Sequence, residues 1–154
     1  MTEFDGVISQ APLGKGRPRA TIGAGGRARV YTPTASADWE HYAAVELAAA
    51  YVTACYPDPA AGMLGPLGCE IVAVFTRTAE LLRHTKATGW KYPEGRIAHP
   101  VKPDLDNVIK ATLDAAEKAG LFSDDKQVST ITASKFYAAL GEPAHVELRL
   151  WRVS

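Results

Sequence analysis

Little in this sequence can be cross-linked. Two cysteines, Cys55 and Cys69, occur in 154 residues, too few for a disulfide framework and without the spacing of a metal-ligand pair. Both read as buried free thiols, which points to a reducing setting. No apolar run approaches the roughly 18 residues that a membrane span needs. The opening MTEFDGVISQ has neither the basic start nor the apolar stretch of a secretory leader, so a cytoplasmic location is expected. Net charge is missing too, with 17 Lys and Arg against 17 Asp and Glu. That total argues against a uniformly basic nucleic-acid binder, but its distribution does not.

The charges are segregated. Between Lys15 and Arg29 lie five basic residues (Lys15, Arg17, Arg19, Arg27, Arg29) and no acid. Between Arg83 and Lys102 there are five more (Arg83, Lys86, Lys91, Arg96, Lys102) against Glu94 alone. The acids follow, at Asp104, Asp106, Asp114, Glu117, Asp124 and Asp125. Two basic loops and one acidic cluster hide inside a neutral sum.

With 47% apolar and 22% charged residues, the chain is globular in composition, and residues 1–154 read as one domain. Residues 2–10 read as a strand carrying Phe4, Val7 and Ile8. GKGRPRATIGAGGRAR reads as loop from its glycines and arginines, giving a first basic loop over 11–30. A helix begins near Ser36 as cap, with Trp39, Ala43, Leu47 and Ala50 on one face, and Pro57, Pro59 and Pro66 end it. CEIVAVFTR, 69–77, is β-branched and short, a buried strand. A second basic loop spans 78–101, long for a compact domain and therefore functional or mobile. A second helix is expected over about 107–119, with Asp106 as N-cap, Ile109, Leu113 and Ala116 as its stripe and Gly120 at C′. Strands near 128–138 and 145–153 close the chain, with LGEP at 140–143 turning between them. In the last strand, Val146, Leu148 and Leu150 alternate with Glu147, Arg149 and Trp151. The order implies an α+β fold: a mixed or antiparallel sheet with two main helices packed on it.

The stretch KPDLDNVIK, 102–110, sets two carboxylates two residues apart. Pro103 favours extended backbone around Asp104, and Asp106 returns to the same side of an extended segment. Like charges that close are costly unless a cation lies between them, and hard divalent cations take such oxygens. SDDKQV adds Asp124 and Asp125, of which adjacent geometry admits one. Lys110 lies one helical turn beyond Asp106, where an ammonium can neutralise charge developing on a phosphate. A plainer reading makes Asp106 a cap, Lys110 its surface ion-pair partner and the two aspartates a turn. On the pattern alone both readings stand.

KPDLDN, then VIK, a helix and DDKQV, resembles the core signature of the RusA family of crossover-junction endodeoxyribonucleases, Holliday junction resolvases often carried by phages and prophages. GKGRPR followed by VYTP resembles the family's opening block. The resemblance covers about residues 7–137. It implies a RusA-like nuclease domain in which Asp104, Asp106 and Asp125 hold Mg²⁺, with Mn²⁺ as a substitute, and Lys110 completes the catalytic set. It implies a homodimer that cuts branched DNA, a four-way junction, with paired symmetric nicks in recombination and repair, inside a bacterial or phage-infected cell.

Lys15, Arg17, Arg19, Arg27 and Lys102 are the candidate DNA contacts, on loops that glycine and proline keep open. Arg29 is a weaker candidate. Trp90 and Tyr92 either dock the second basic loop onto the body or stack on an unpaired base. His99 is expected to be a solvated loop histidine. A flap or other branched-DNA nuclease of phage replication, and a junction-binding protein without catalysis, are the alternatives. A plain interaction domain leaves the two basic loops unexplained.

Overall fold

The computed structural model describes residues 3–17, 19–31, 33–55 and 62–154; Pro18, Pro57, Pro59 and the Cys55 side chain lie outside the described residues. In chain order the elements are β1 (Glu3–Ile8), β2 (Arg19–Ile22), β3 (Ala28–Tyr31), α1 (Thr34–Cys55), β4 (Leu67–Phe75), β5 (His84–Thr85), β6 (Gly89–Trp90), β7 (Ile97–Ala98), α2 (Leu105–Lys118), β8 (Val128–Tyr137) and β9 (His145–Arg152). The main sheet has five strands in the order β1-β9-β4-β8-β7. β4 runs parallel to β8 and antiparallel to β9, so the sheet is mixed, as expected for α+β.

Alternation sets the inner face. Phe4 and Ile8 of β1 pair across to Leu150 and Val146 of β9, and all four are buried. Leu67, Cys69 and Ile71 of β4 continue that face. Both helices cover it, α1 against β1 and α2 against β4 and β8, and they pack on each other. Trp39, Ala43 and Leu47 of α1 are buried there, with Ala50 at the margin. From α2 come Leu113, Ala115 and Ala116. Cys69 is a free thiol, and burial pushes its pKa up to about 11.

Several boundaries differ from the sequence reading. β8 and β9 are consecutive, yet β4 lies between them, so residues 138–144 cross over a strand instead of closing a hairpin. β9 is therefore interior and offers no edge to a second chain, whereas β1 is an edge strand. Ser36 is not a cap. α1 starts at Thr34, the Pro33 carbonyl accepts the Ala37 amide at 3.2 Å, and the Ser36 hydroxyl accepts the Gly16 N–H at 2.9 Å. Asp106 is likewise not the cap but the second residue of α2. Asp104, at φ −65° and ψ 146°, is the last extended residue, and its carbonyl accepts the Val108 amide at 3.2 Å. Asp106 instead places a carboxylate in the first turn, where the helix dipole favours it. Gly120 does take C′, at φ +80°. Its N–H donates to the Glu117 carbonyl, and that of Leu121 to the Ala116 carbonyl, the paired bonds of a Schellman stop.

The two basic loops also carry structure. Residues 19–31 form the β2–β3 ribbon, and glycines gathered at its turn hide the short strands in the composition. Within 78–101, β5 and β6 pair as a small ribbon, and β7 joins the main sheet beside β8. His99, following β7, is buried rather than solvated. Its amide donates to the Lys135 carbonyl, and its ring stacks on Phe75 at 4.0 Å and lies 4.4 Å from Tyr137. Burial, and then the charge of Lys135, hold its pKa below the usual histidine range.

Arg77 fixes this segment. Its buried guanidinium donates to the carbonyls of Ala138 (2.6 Å), Leu81 (3.3 Å), Pro93 (2.7 Å), Glu94 (3.2 Å) and Gly95 (2.5 Å). A planar fork of donors matches several carbonyls at once. Arg77→Met keeps the stem but strands those acceptors. It should lower stability by about 3 kcal/mol in urea unfolding and speed amide exchange across 84–98. Unchanged exchange there would show that the segment holds itself.

Candidate functional site

Two glycines bring the N-terminal loop onto the start of α2. A Cβ on Gly14 would lie 2.6 Å from Pro103 Cβ, and one on Gly16 would lie 2.8 Å from Pro33 Cγ. Neither side chain fits, so GKG passes close between the two helix starts. The Lys15 amide donates to the Asn107 carbonyl at 3.0 Å. On the far side, the Lys135 ammonium from β8 donates to the carbonyls of Val101 (2.8 Å) and Pro103 (2.6 Å). The segment carrying Asp104 is thus tied down from both flanks. Lys135 and Ser36 supply ties that their positions in the sequence do not announce.

Asp104 and Asp106 are both exposed at the α2 N-terminus, and Asp104 makes no side-chain cap bond. Along the same helix, the Lys110 ammonium sits 2.9 Å from Asp114 Oδ1 and 2.8 Å from Asp125 Oδ2. These hydrogen bonds hold the Lys110 pKa above the usual lysine range, Asp125 contributing first and Asp114 second. Asp125 arrives from fifteen residues away in sequence. Asp124 turns elsewhere: it accepts the Lys126 amide at 3.0 Å and pairs with the Lys126 ammonium at 2.8 Å. The neighbouring aspartates therefore part, one toward Lys110 and one into its own turn.

Lys15 is drawn into the same network. Its ammonium pairs with Asp114 and lies 3.7 Å from Glu40, so this candidate DNA contact spends its charge on the protein's own carboxylates. Asp114, to which the sequence reading gave no role, is the hub. Burial pushes its carboxyl up, but the bonds from Lys15 and Lys110 outweigh burial and hold it below the usual range. Its i,i+4 spacing from Lys110 was the signal available in the sequence. Arg17 and Lys102 join Lys15, Asp104 and Asn107 around an open hollow of about 650 Å³. Arg19, Arg27 and Arg29 are exposed on or beside the β2–β3 ribbon.

Asp104, Asp106 and Asp125 offer hard oxygen ligands, the donor chemistry of Mg²⁺ or Mn²⁺, and an ammonium already lies on Asp125. Among the described residues, however, the group of three ligand atoms that all lie within 4.8 Å of one another is Glu142, His145 and Glu147, not these aspartates. Arg96 fills that group, its guanidinium 2.6 Å from Glu142 and 2.5 Å from Glu147. Trp90 and Tyr92 belong to the β5–β6 neighbourhood. Trp90 meets His84 edge-on at 4.8 Å, and the Tyr92 hydroxyl donates to Glu80 at 3.1 Å.

Residues 10–150 match the family described as Endodeoxyribonuclease RusA. The chain is also similar to YqaN of Bacillus subtilis (strain 168), a protein described as uncharacterized. The two are 29% identical over 143 residues, covering 93% of this chain and 92% of that one.

The Asp114 network has a pH signature. A carboxyl held below its ordinary value stabilises the fold above about pH 4, and that contribution fades as pH falls through the lower folded value. Asp114→Asn should cost on the order of 1–3 kcal/mol at pH 7 and flatten the acid limb of the stability curve measured by chemical denaturation. An unaltered acid limb would remove Asp114 from the hub.

Proposed function

This chain belongs to the RusA endodeoxyribonuclease family, and we propose that it resolves four-way DNA junctions by metal-dependent hydrolysis at Asp104, Asp106 and Asp125. Family membership makes it an endodeoxyribonuclease of branched DNA. The observation that carries the finer reading is the Lys110 ammonium held on Asp125 and Asp114, which joins two separated sequence blocks one helical turn from Asp106.

Mg²⁺, or Mn²⁺ in its place, supplies Lewis acidity and an activated water when bound. Asp104, Asp106 and Asp125 would be its oxygen ligands. Lys110 neutralises charge growing on the scissile phosphate, and Asp114 would hold Lys110 in place were Asp125 to serve as a ligand. Arg17 and Lys102, at the rim of the hollow, hold phosphates beside the cut. Paired nicks need two such sites, and a homodimer with two-fold symmetry provides them.

A labelled four-way junction, a flap and a linear duplex, incubated with Mg²⁺ or with EDTA, test this. The junction should be nicked at symmetric positions only with Mg²⁺. Asp106→Asn should reduce the rate by roughly 10²-fold or more and Lys110→Met by a similar factor. Faster cutting of the flap would reassign the substrate while keeping the residues. A junction bound but uncut with every divalent metal would end the catalytic reading.

A further inference from the structure

The β2–β3 ribbon stands apart from the core. Every residue of β2 is exposed, Ile22 is 78% and Val30 72% accessible, and among the described residues no element contacts the ribbon as its own two strands contact each other. A lone two-stranded ribbon is marginal in water, and large aliphatic side chains in the open mark a surface that meets something.

Its register sorts the side chains. Ala20 lies opposite Val30 and Ile22 opposite Ala28, while Thr21 lies opposite Arg29. Cross-strand partners share a face and neighbours alternate. One face is therefore Ala20, Ile22, Ala28 and Val30; the other carries Arg19, Thr21 and Arg29. The tip, Gly23–Gly26, turns through Gly26 at φ +70°. At the root, Arg17 opens onto the hollow that holds Asp104. No acid occurs from Lys15 to Arg29.

The charge selects a polyanion, and the arginine face suits phosphates. The aliphatic face has no use for phosphates. It requires a flat apolar surface, which nucleic acid offers where bases are unstacked. In continuous duplex the base faces are covered; at a branch point they are free.

We propose that the β2–β3 ribbon is the element that tells branched DNA from linear duplex, with Ile22 and Val30 against base faces at the branch and Arg19 and Arg29 on the flanking phosphates. The inference rests on the reading of the chain as a branched-DNA nuclease and adds the part that recognises the branch. The ribbon's root beside Asp104 places recognition and cutting on neighbouring stretches of one backbone.

The test uses a four-way junction with 2-aminopurine at the branch and a linear duplex with the same label, titrated with the full chain in EDTA. Wild type should raise the fluorescence of the junction alone and prefer it over duplex. Ile22→Thr combined with Val30→Thr keeps β-branched side chains, and so the ribbon, but adds hydroxyls. It should abolish the fluorescence rise and cut the preference at least tenfold, with duplex affinity retained. Arg29→Gln should weaken junction and duplex alike and lower the salt slope by about one. Retention of both preference and fluorescence in the threonine variant would overturn the proposal. So would a fall to half the mass in light scattering, which would assign the aliphatic face to a second copy of the chain. A wild type that binds neither DNA would overturn the nuclease reading itself, an outcome distinct from an unaltered preference in the variant.

Discussion

Parallel strands cannot be joined by a tight turn, and β4 lies parallel to β8 at the middle of this sheet. The chain must leave β4 after Phe75 and enter β8 at Val128, touching the sheet edge at β7 on the way, and a helix is the usual way back. Everything that gives the candidate site its acids lies on that excursion: the Arg77-pinned segment, Asp104 before α2, Asp106 and Lys110 on it, and Asp125 on the return. Burial of Ile71, Leu148 and Leu150 fixes the register of the central strands. The register in turn fixes where the excursion begins and ends. Asp125, distant in sequence, meets Lys110 of α2 because the crossover brings its return beside that helix.

On that frame the site is a balance of charges rather than a closed cage. Asp114 and Asp125 share the Lys110 ammonium, and Asp114 takes Lys15 as well. Lys110 comes along the helix and Lys15 from a loop that glycines allow to lie close. Asp114 binds both and is better shielded from water than either ammonium, with 13% of its side chain accessible against 28% and 51% for Lys15 and Lys110. It is the fixed point of the network, and Asp125, with 43% of its side chain accessible, is the more open partner.

The sequence was most legible where one local rule decides the outcome. Alternation located Val146, Leu148 and Leu150 of β9, and the need for positive φ located Gly120. The extended backbone expected around Pro103 reaches Asp104 but not Asp106, which already lies in the first turn of α2. The sequence was least legible where distant residues decide. Arg77 reads as the polar end of a strand, and only the return of 93–95 turns it into an anchor. His99 reads as loop until β7 pairs with β8 and covers it with Phe75 and Tyr137. Ser36 reads as a cap until Gly16 takes its hydroxyl. The β2–β3 ribbon was concealed by glycines serving its turn. Lys15 was visible as a basic loop residue, but nothing local shows that Asp114 and Glu40 wait for it.

In the proposed site, Asp104, Asp106 and Asp125 bind one cation and Lys110 competes with it for Asp125. Mn²⁺ titration followed by electron paramagnetic resonance tests that site without DNA and without turnover. Asn at any of the three positions should weaken Mn²⁺ binding at least tenfold, and Lys110→Met should tighten it by freeing Asp125. Mn²⁺ binding indifferent to all four substitutions, or abolished instead by Glu142→Gln, would rule that site out.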